Sequence, residues 1–137
     1  MRDELNFYIN GEWVESDSSE TIEVVNPANE EIIGHVTAGS KQDINSAVMA
    51  ANEAFKLFSQ TSKNERIAYL EAIIKEYENR YQDFVDTITL EMGAPTWLSN
   101  RAQASTGIKN FNETLDALKI YEFEKPEGDY LLRKEPI

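Results

Sequence analysis

At Ser40 the spacing of apolar residues changes from every second position to every third or fourth, and no single regular element satisfies both periods. The chain is therefore expected to fold as a β-rich amino-terminal third followed by a helical block, an α+β arrangement. Before the switch, Phe7, Ile9 and Trp13 alternate with polar residues around Asn10-Gly11, a dipeptide that tolerates the positive φ angles of a two-residue type I′ turn. Residues 21–25 and 31–36 form a second β-rich pair, and Asn26-Pro27-Ala28-Asn29-Glu30 between them favours a loop. Two β-hairpins are expected within residues 1–39.

After the switch, Ser40 followed three residues later by Asp43 suits a helix N-cap, and Ile44, Ala47, Val48, Ala51, Phe55 and Phe58 recur on one face. Ser62 with Glu65 is a second start signal, leading into Ile67, Leu70, Ile74 and Tyr77, with Glu71/Lys75 and Glu76/Arg80 as i,i+4 pairs and an end near Asn79. Tyr81, Phe84, Val85, Ile88 and Met92 continue a helical stripe to Gly93, a suitable C′ residue, with Pro95 as a stop. A fourth helix is expected from Trp97 to Lys119, with Leu98, Ala102, Ile108, Phe111, Leu115 and Leu118 inward. Within it Gly107 costs roughly 1 kcal/mol relative to alanine, which marks a close approach of another backbone. Residues 121–128, acidic and holding Pro126 and Gly128, read as a loop, and 129–137 as a terminal strand with no later partner. An orphan strand points to a truncated chain or to pairing with another chain. The whole is a single partial domain: 1–39 β-rich, 40–120 helical, 121–128 loop, 129–137 strand.

A chain of 137 residues can bury roughly 70% of its unfolded surface. Phe55, Phe58, Tyr77, Tyr81, Phe84 and Phe111 fall on the helical apolar faces, where burial of each contributes on the order of 1.5–3 kcal/mol. The net charge of −12 repels phosphate backbones and anionic lipid, so neither nucleic acid nor a membrane is an expected partner. The charged opening Met1-Arg2-Asp3-Glu4 is not followed by an apolar run, and no stretch reaches the length of a membrane span; a cytoplasmic location is expected. Zero cysteines exclude disulfides and thiolate metal sites.

The motifs that could carry chemistry have plainer explanations. Gly34 to Gly39 has the G-x-x-x-x-G spacing of a phosphate loop, but Ser40-Lys41 follows where Lys-Ser/Thr is required. A strand-to-helix connection accounts for it, and no G-x-G-x-x-G occurs. His35 is the one histidine, in an expected strand, without a second histidine or thiolate to complete a set. The carboxylate pairs Glu30/Glu31 and Glu76/Glu78 read as solvated faces, and Asn112-Glu113-Thr114, a sequon by spelling, lies in an expected helix. The residues thus offer no catalytic, cofactor-binding or metal-binding set.

Three stretches in this order resemble the amino-terminal segment of the NAD(P)-dependent aldehyde dehydrogenase superfamily. They are Tyr8-Ile9-Asn10-Gly11-Glu12-Trp13-Val14, then Val25-Asn26-Pro27-Ala28 running into Ile33-Gly34-His35-Val36, and Leu90-Glu91-Met92-Gly93-Ala94-Pro95 before a long helix. The resemblance implies a fragment of the larger α/β fold of that family: two amino-terminal β-hairpins, about four amphipathic helices, and a terminal strand at 129–137 belonging to an arm used for homo-oligomer contacts. It implies that this segment packs on a dinucleotide-binding domain in the remainder of a parent polypeptide. There a cysteine thiolate attacks an aldehyde to give a thiohemiacetal, NAD or NADP accepts the hydride, and a glutamate assists thioester hydrolysis. None of those motifs lies in these residues, so the chain alone is expected to bind neither cofactor nor aldehyde substrate. The resemblance further puts the helix around Thr106 near a substrate entrance and carbonyls around Val25 and Glu91 near a structural monovalent cation. The rival reading is a stand-alone helical interaction module without activity. Both readings predict exposed apolar surface.

Overall fold

The computed structural model describes residues 2–134. Strands β1 (Arg2–Glu4), β2 (Asn6–Ile9), β3 (Glu12–Glu15), β4 (Thr21–Asn26) and β5 (Glu31–Thr37) precede the helices α1 (Lys41–Phe58), α2 (Lys63–Asn79) and α3 (Tyr81–Met92). A short α4 (Thr96–Leu98), a π-helical stretch (Ser99–Ala104) and α5 (Ser105–Ile120) follow, then β6 (Glu124–Glu127) and β7 (Tyr130–Arg133).

Both expected hairpins are present. β2 and β3 pair through Asn10 and Gly11, at φ 54° and 83°, as a type I′ turn requires. β4 and β5 pair antiparallel with one irregularity between Val24 and Val25. β1, which the sequence did not announce, adds in parallel to the free edge of β5. Asp3 Oδ1 accepts the His35 backbone N–H and shares a second hydrogen bond with His35 Nδ1, both at 3.0 Å. His35 is half-buried.

The helix starts form as their residues dictate. Ser40 with Asp43 and Ser62 with Glu65 each build a complete capping box. α2 ends at Asn79, and Gly93 closes α3 in the left-handed region at φ 62°. A Cβ on Gly93 would lie 2.9 Å from the Ala28 nitrogen, so this glycine lets the β4–β5 turn sit against the end of α3. Pro95 lies just beyond that end, as expected, and also serves as the N-cap residue of α4, its carbonyl accepting from the N–H groups of Leu98 and Ser99. The expected Glu71/Lys75 and Glu76/Arg80 pairs are replaced by longer-range or shorter ones: Glu71 meets Lys119 of α5 at 3.3 Å, and Arg80 meets Asp83 at 3.2 Å.

The buried core is small and belongs to α2, α3, the π-helical stretch and α5: Ile74, Val85, Ala104 and Leu115, with Ser99. Tyr77 stacks on Phe84 at 4.1 Å and meets the rings of Tyr81 and Phe111 at a tilt, with centroids 6.4 and 6.1 Å away. Three aromatic residues expected in the core are outside it: Phe55 and Phe58 on α1 are half exposed, Phe84 on α3 is 37% exposed despite its stacking on Tyr77, and α1 buries no residue at all. Ala102 also faces outward, because the π-helical turn adds a residue to the rotation and turns Ser99 and Ala104 inward instead. The accessible surface is 10402 Å², against about 7,200 Å² for a compact monomer of this length. The chain thus hides roughly half of its unfolded surface and not the expected 70%.

At the carboxyl end, residues 124–127 are a strand and not a loop, and β7 is not an orphan. Gly128, at φ 62°, reverses the chain so that β6 and β7 pair antiparallel, and Arg133 Nε meets Glu124 Oε1 at 2.7 Å. Residues 135–137 of the expected terminal strand lie outside the described residues.

Candidate functional site

Three places gather polar groups or open space. The first is the β5–α1 connection, where the phosphate-loop spacing falls. Ser40 accepts from the backbone N–H groups of Gln42 and Asp43. The Asp43 carboxylate in turn accepts from Ser40 N–H at 2.7 Å and from the Ser16 hydroxyl at 2.6 Å. These bonds, that from Ser16 first, hold the Asp43 carboxyl below its ordinary range. The positive end of α1 therefore already carries a carboxylate, and a phosphate placed there would be repelled. The start of α1 is thus a capping box and not a phosphate cradle.

The second place is the π-helical stretch and the start of α5. Wide turns displace carbonyls from their usual donors, and here side-chain hydroxyls serve them. Tyr77 donates to Ala104 O at 2.8 Å, Thr106 to Ala102 O at 2.7 Å, and Ser105 to Arg101 O at 2.8 Å; Tyr81 donates to Asn100 O. Gly107 makes this possible. A Cβ there would come within 2.8 Å of Tyr77 Cζ, so the expected close approach is real, but by a side chain and not a backbone. Burial pushes the Tyr77 hydroxyl above its ordinary pKa, with Tyr81 adding to it. Thr106 itself is exposed. Gln103 Oε1 is buried without a hydrogen-bond partner.

The third place is a half-open groove of about 890 Å³ between the sheet and α3. Glu4, Val24, Ile33, Gly34 and Val36 line the sheet side, Arg80, Phe84, Asp86, Leu90 and Glu91 the helix side, and Trp13 of the hairpin closes part of it. Registers place several of these on one face: Val24 opposes Gly34, and Glu4 opposes Val36 on the other edge. Val24 and Glu91 both line this groove. Among the described residues no cluster of three or more histidine, cysteine or acidic side chains could hold a metal ion. No described helix is long and apolar enough to cross a membrane.

The model of the aldehyde dehydrogenase family matches residues 13–137. A putative aldehyde dehydrogenase of Staphylococcus aureus (strain bovine RF122 / ET3-1) is 54% identical over 137 residues, all of this chain but 29% of that protein. The crystal structure of an aldehyde dehydrogenase from Bartonella henselae superposes with a TM-score of 0.91 at 34% identity, over 94% of this chain and 28% of that one. A variant of aldehyde dehydrogenase C from Pseudomonas syringae, solved with NAD+ and octanal, gives a TM-score of 0.86 at 36% identity, over 90% of this chain and 25% of that one. This chain spans about 29% of the length of the curated relatives it matches.

Proposed function

The chain belongs to the aldehyde dehydrogenase family, and from that premise we propose that it is the amino-terminal segment of an enzyme oxidising an aldehyde to a carboxylic acid. NAD+ or NADP+ would be the hydride acceptor. In this reading the cysteine that forms the thiohemiacetal, the glutamate that assists hydrolysis and the cradle for the dinucleotide all lie in the rest of a cytoplasmic parent polypeptide. The present residues contain no cysteine, and Asp43 occupies the one helix start where a phosphate loop was spelled, so no step is assigned to them. Their part is to pack on the cofactor domain. The carbonyls around Val25 and Glu91 would face a structural monovalent cation, and Thr106 a substrate entrance.

The observation that carries the reading is the match across residues 13–137 combined with a surface of 10402 Å², far more than a self-sufficient domain of this length exposes. A family member severed from its cofactor domain would have both properties. The β6–β7 hairpin, whose Tyr130, Leu131 and Leu132 are exposed, would serve homo-oligomer contacts, and light scattering on the full-length polypeptide tests that part.

Titration calorimetry with NAD+ and an aldehyde-oxidation assay, run on this chain and on the full-length polypeptide, test the main reading. Only the longer polypeptide should bind cofactor and form NADH. Stoichiometric low-micromolar NAD+ binding by the 137-residue chain would overturn it. So would inactivity of a folded full-length polypeptide across a panel of aldehydes, which would favour the interaction-module reading.

A further inference from the structure

The groove between the sheet and α3 has a chemical character that identifies what covers it. Its floor is apolar, from Val24, Ile33 and Val36 on the strands and Phe84 and Leu90 on the helix, and Trp13 beside it is 67% exposed. Its charged residues are mostly acidic. Arg80 is taken by Asp83 at 3.2 Å. Among the described residues Asp86 receives the neutral Gln82 amide and no cation, and Glu91 has no ion-pair partner. An apolar trough with uncompensated carboxylates at its edge fits a segment with an apolar face flanked by lysine or arginine.

We propose that this groove is the docking site of a basic segment with an apolar face, supplied by the parent polypeptide from outside these 137 residues. The proposal rests on the family reading above and deepens it by naming the chemistry of the partner. A segment in cis has ample source, since the curated relatives extend well beyond the 29% that this chain covers. The surplus of accessible surface requires a cover of some kind. A second copy of the chain is a poor occupant, because it brings another net charge of −12 to an acidic rim.

Trp13 reports on the groove directly once Trp97, the other tryptophan, is replaced by Trp97→Phe. A synthetic amphipathic peptide of leucine and lysine should then shift Trp13 emission to the blue with saturation, and a leucine and glutamate peptide of the same pattern should not. Affinity should fall several-fold between low and high salt. Asp86→Asn with Glu91→Gln should weaken it about three- to ten-fold. Equal binding of the glutamate peptide, or an unchanged affinity in the double variant, overturns the proposal. A blue shift that depends on protein concentration without any peptide also overturns it, in favour of a second copy.

The full-length polypeptide gives the second measurement. Its Trp13 should already emit in the blue and ignore the added peptide, and the double variant should speed hydrogen exchange in β4 and β5. A full-length Trp13 that still responds to the peptide removes the occupant in cis. Aldehyde oxidation measured on the unsubstituted full-length polypeptide reports separately on the family reading, so the two can fail independently.

Discussion

α1 and α2 begin with the same device and end in opposite circumstances. Each opens on a serine capping box, and the apolar stripe of α1 is the cleaner of the two. Yet α2 buries Ile74 and places Tyr77 at the centre of an aromatic cluster, whereas α1 buries nothing over its 18 residues. The difference shows that periodicity identifies a face to be covered and does not identify the cover. For α2 the cover is α5 and α3, present in this chain; for α1 no described element supplies one. In the function proposed above, that cover would come from the rest of a polypeptide of which this chain spans 29% in its curated relatives.

The comparison breaks most readily by truncating one side chain from each region. Leu115 of α5 is 6% exposed, and Leu115→Ala should cost about 2–5 kcal/mol through lost burial and a residual cavity. Ile44 on the stripe of α1 is 62% exposed, and Ile44→Ala should cost less than about 1 kcal/mol in this chain. Urea denaturation followed by circular dichroism measures both. Equal costs would mean that α1 is covered after all, for example by self-association. In the full-length polypeptide the Ile44 cost should rise toward that of a buried isoleucine, and a cost that stays small would locate the cover elsewhere.

A second, smaller effect sharpens the account of the better-packed region. Gly107→Ala would gain about 1 kcal/mol of helix propensity, but its Cβ would stand 2.8 Å from Tyr77 Cζ and 3.0 Å from Cε2. Tyr77 cannot yield without leaving Phe84 and the Ala104 carbonyl. A net loss of about 1–3 kcal/mol is expected from overpacking. Tyr77→Phe in the Gly107→Ala background should recover part of it, because the hydroxyl is the closest obstacle. A melting temperature that rises in Gly107→Ala would show that the aromatic cluster repacks freely.

What was legible in the sequence were the devices that act within a few residues. Asn10-Gly11 set the first hairpin and its register, both capping boxes could be read off, and Gly93 marked the end of α3. What was not legible depended on distant residues. The π-helical stretch has an ordinary helical sequence, and its carbonyls are served by Tyr77 and Tyr81 from two earlier helices. β6 reads Glu-Lys-Pro-Glu with no alternation of apolar residues, and it is a strand because Gly128 folds β7 back onto it. The groove beside α3 combines residues from three strands, a hairpin and a helix, a set that no local spacing announces.

The smallest expected effect separates the two capping boxes by acid. Hydrogen bonds from Ser16 and the Ser40 backbone lower the Asp43 pKa from 3.8, and those from the Ser62 backbone and hydroxyl lower that of Glu65 from 4.5. A depressed carboxyl binds fewer protons folded than unfolded, so its stabilising contribution is complete above the unfolded value and is lost as pH falls through the folded one. Both caps should therefore hold at neutral pH and weaken below the ordinary carboxyl range. The consequences differ, because α1 has little but its cap to hold its first turn, whereas α2 is also held by the packing of Ile74. Hydrogen exchange resolved by residue, followed from pH 6 down to about 3 and corrected for intrinsic rates, should show residues at the start of α1 opening before those of α2. Ser16→Ala removes the largest contribution to the Asp43 depression and should move the opening of α1 to higher pH while leaving α2 unchanged. Simultaneous opening of the two starts would mean that α1 is held by packing that its exposed stripe does not show.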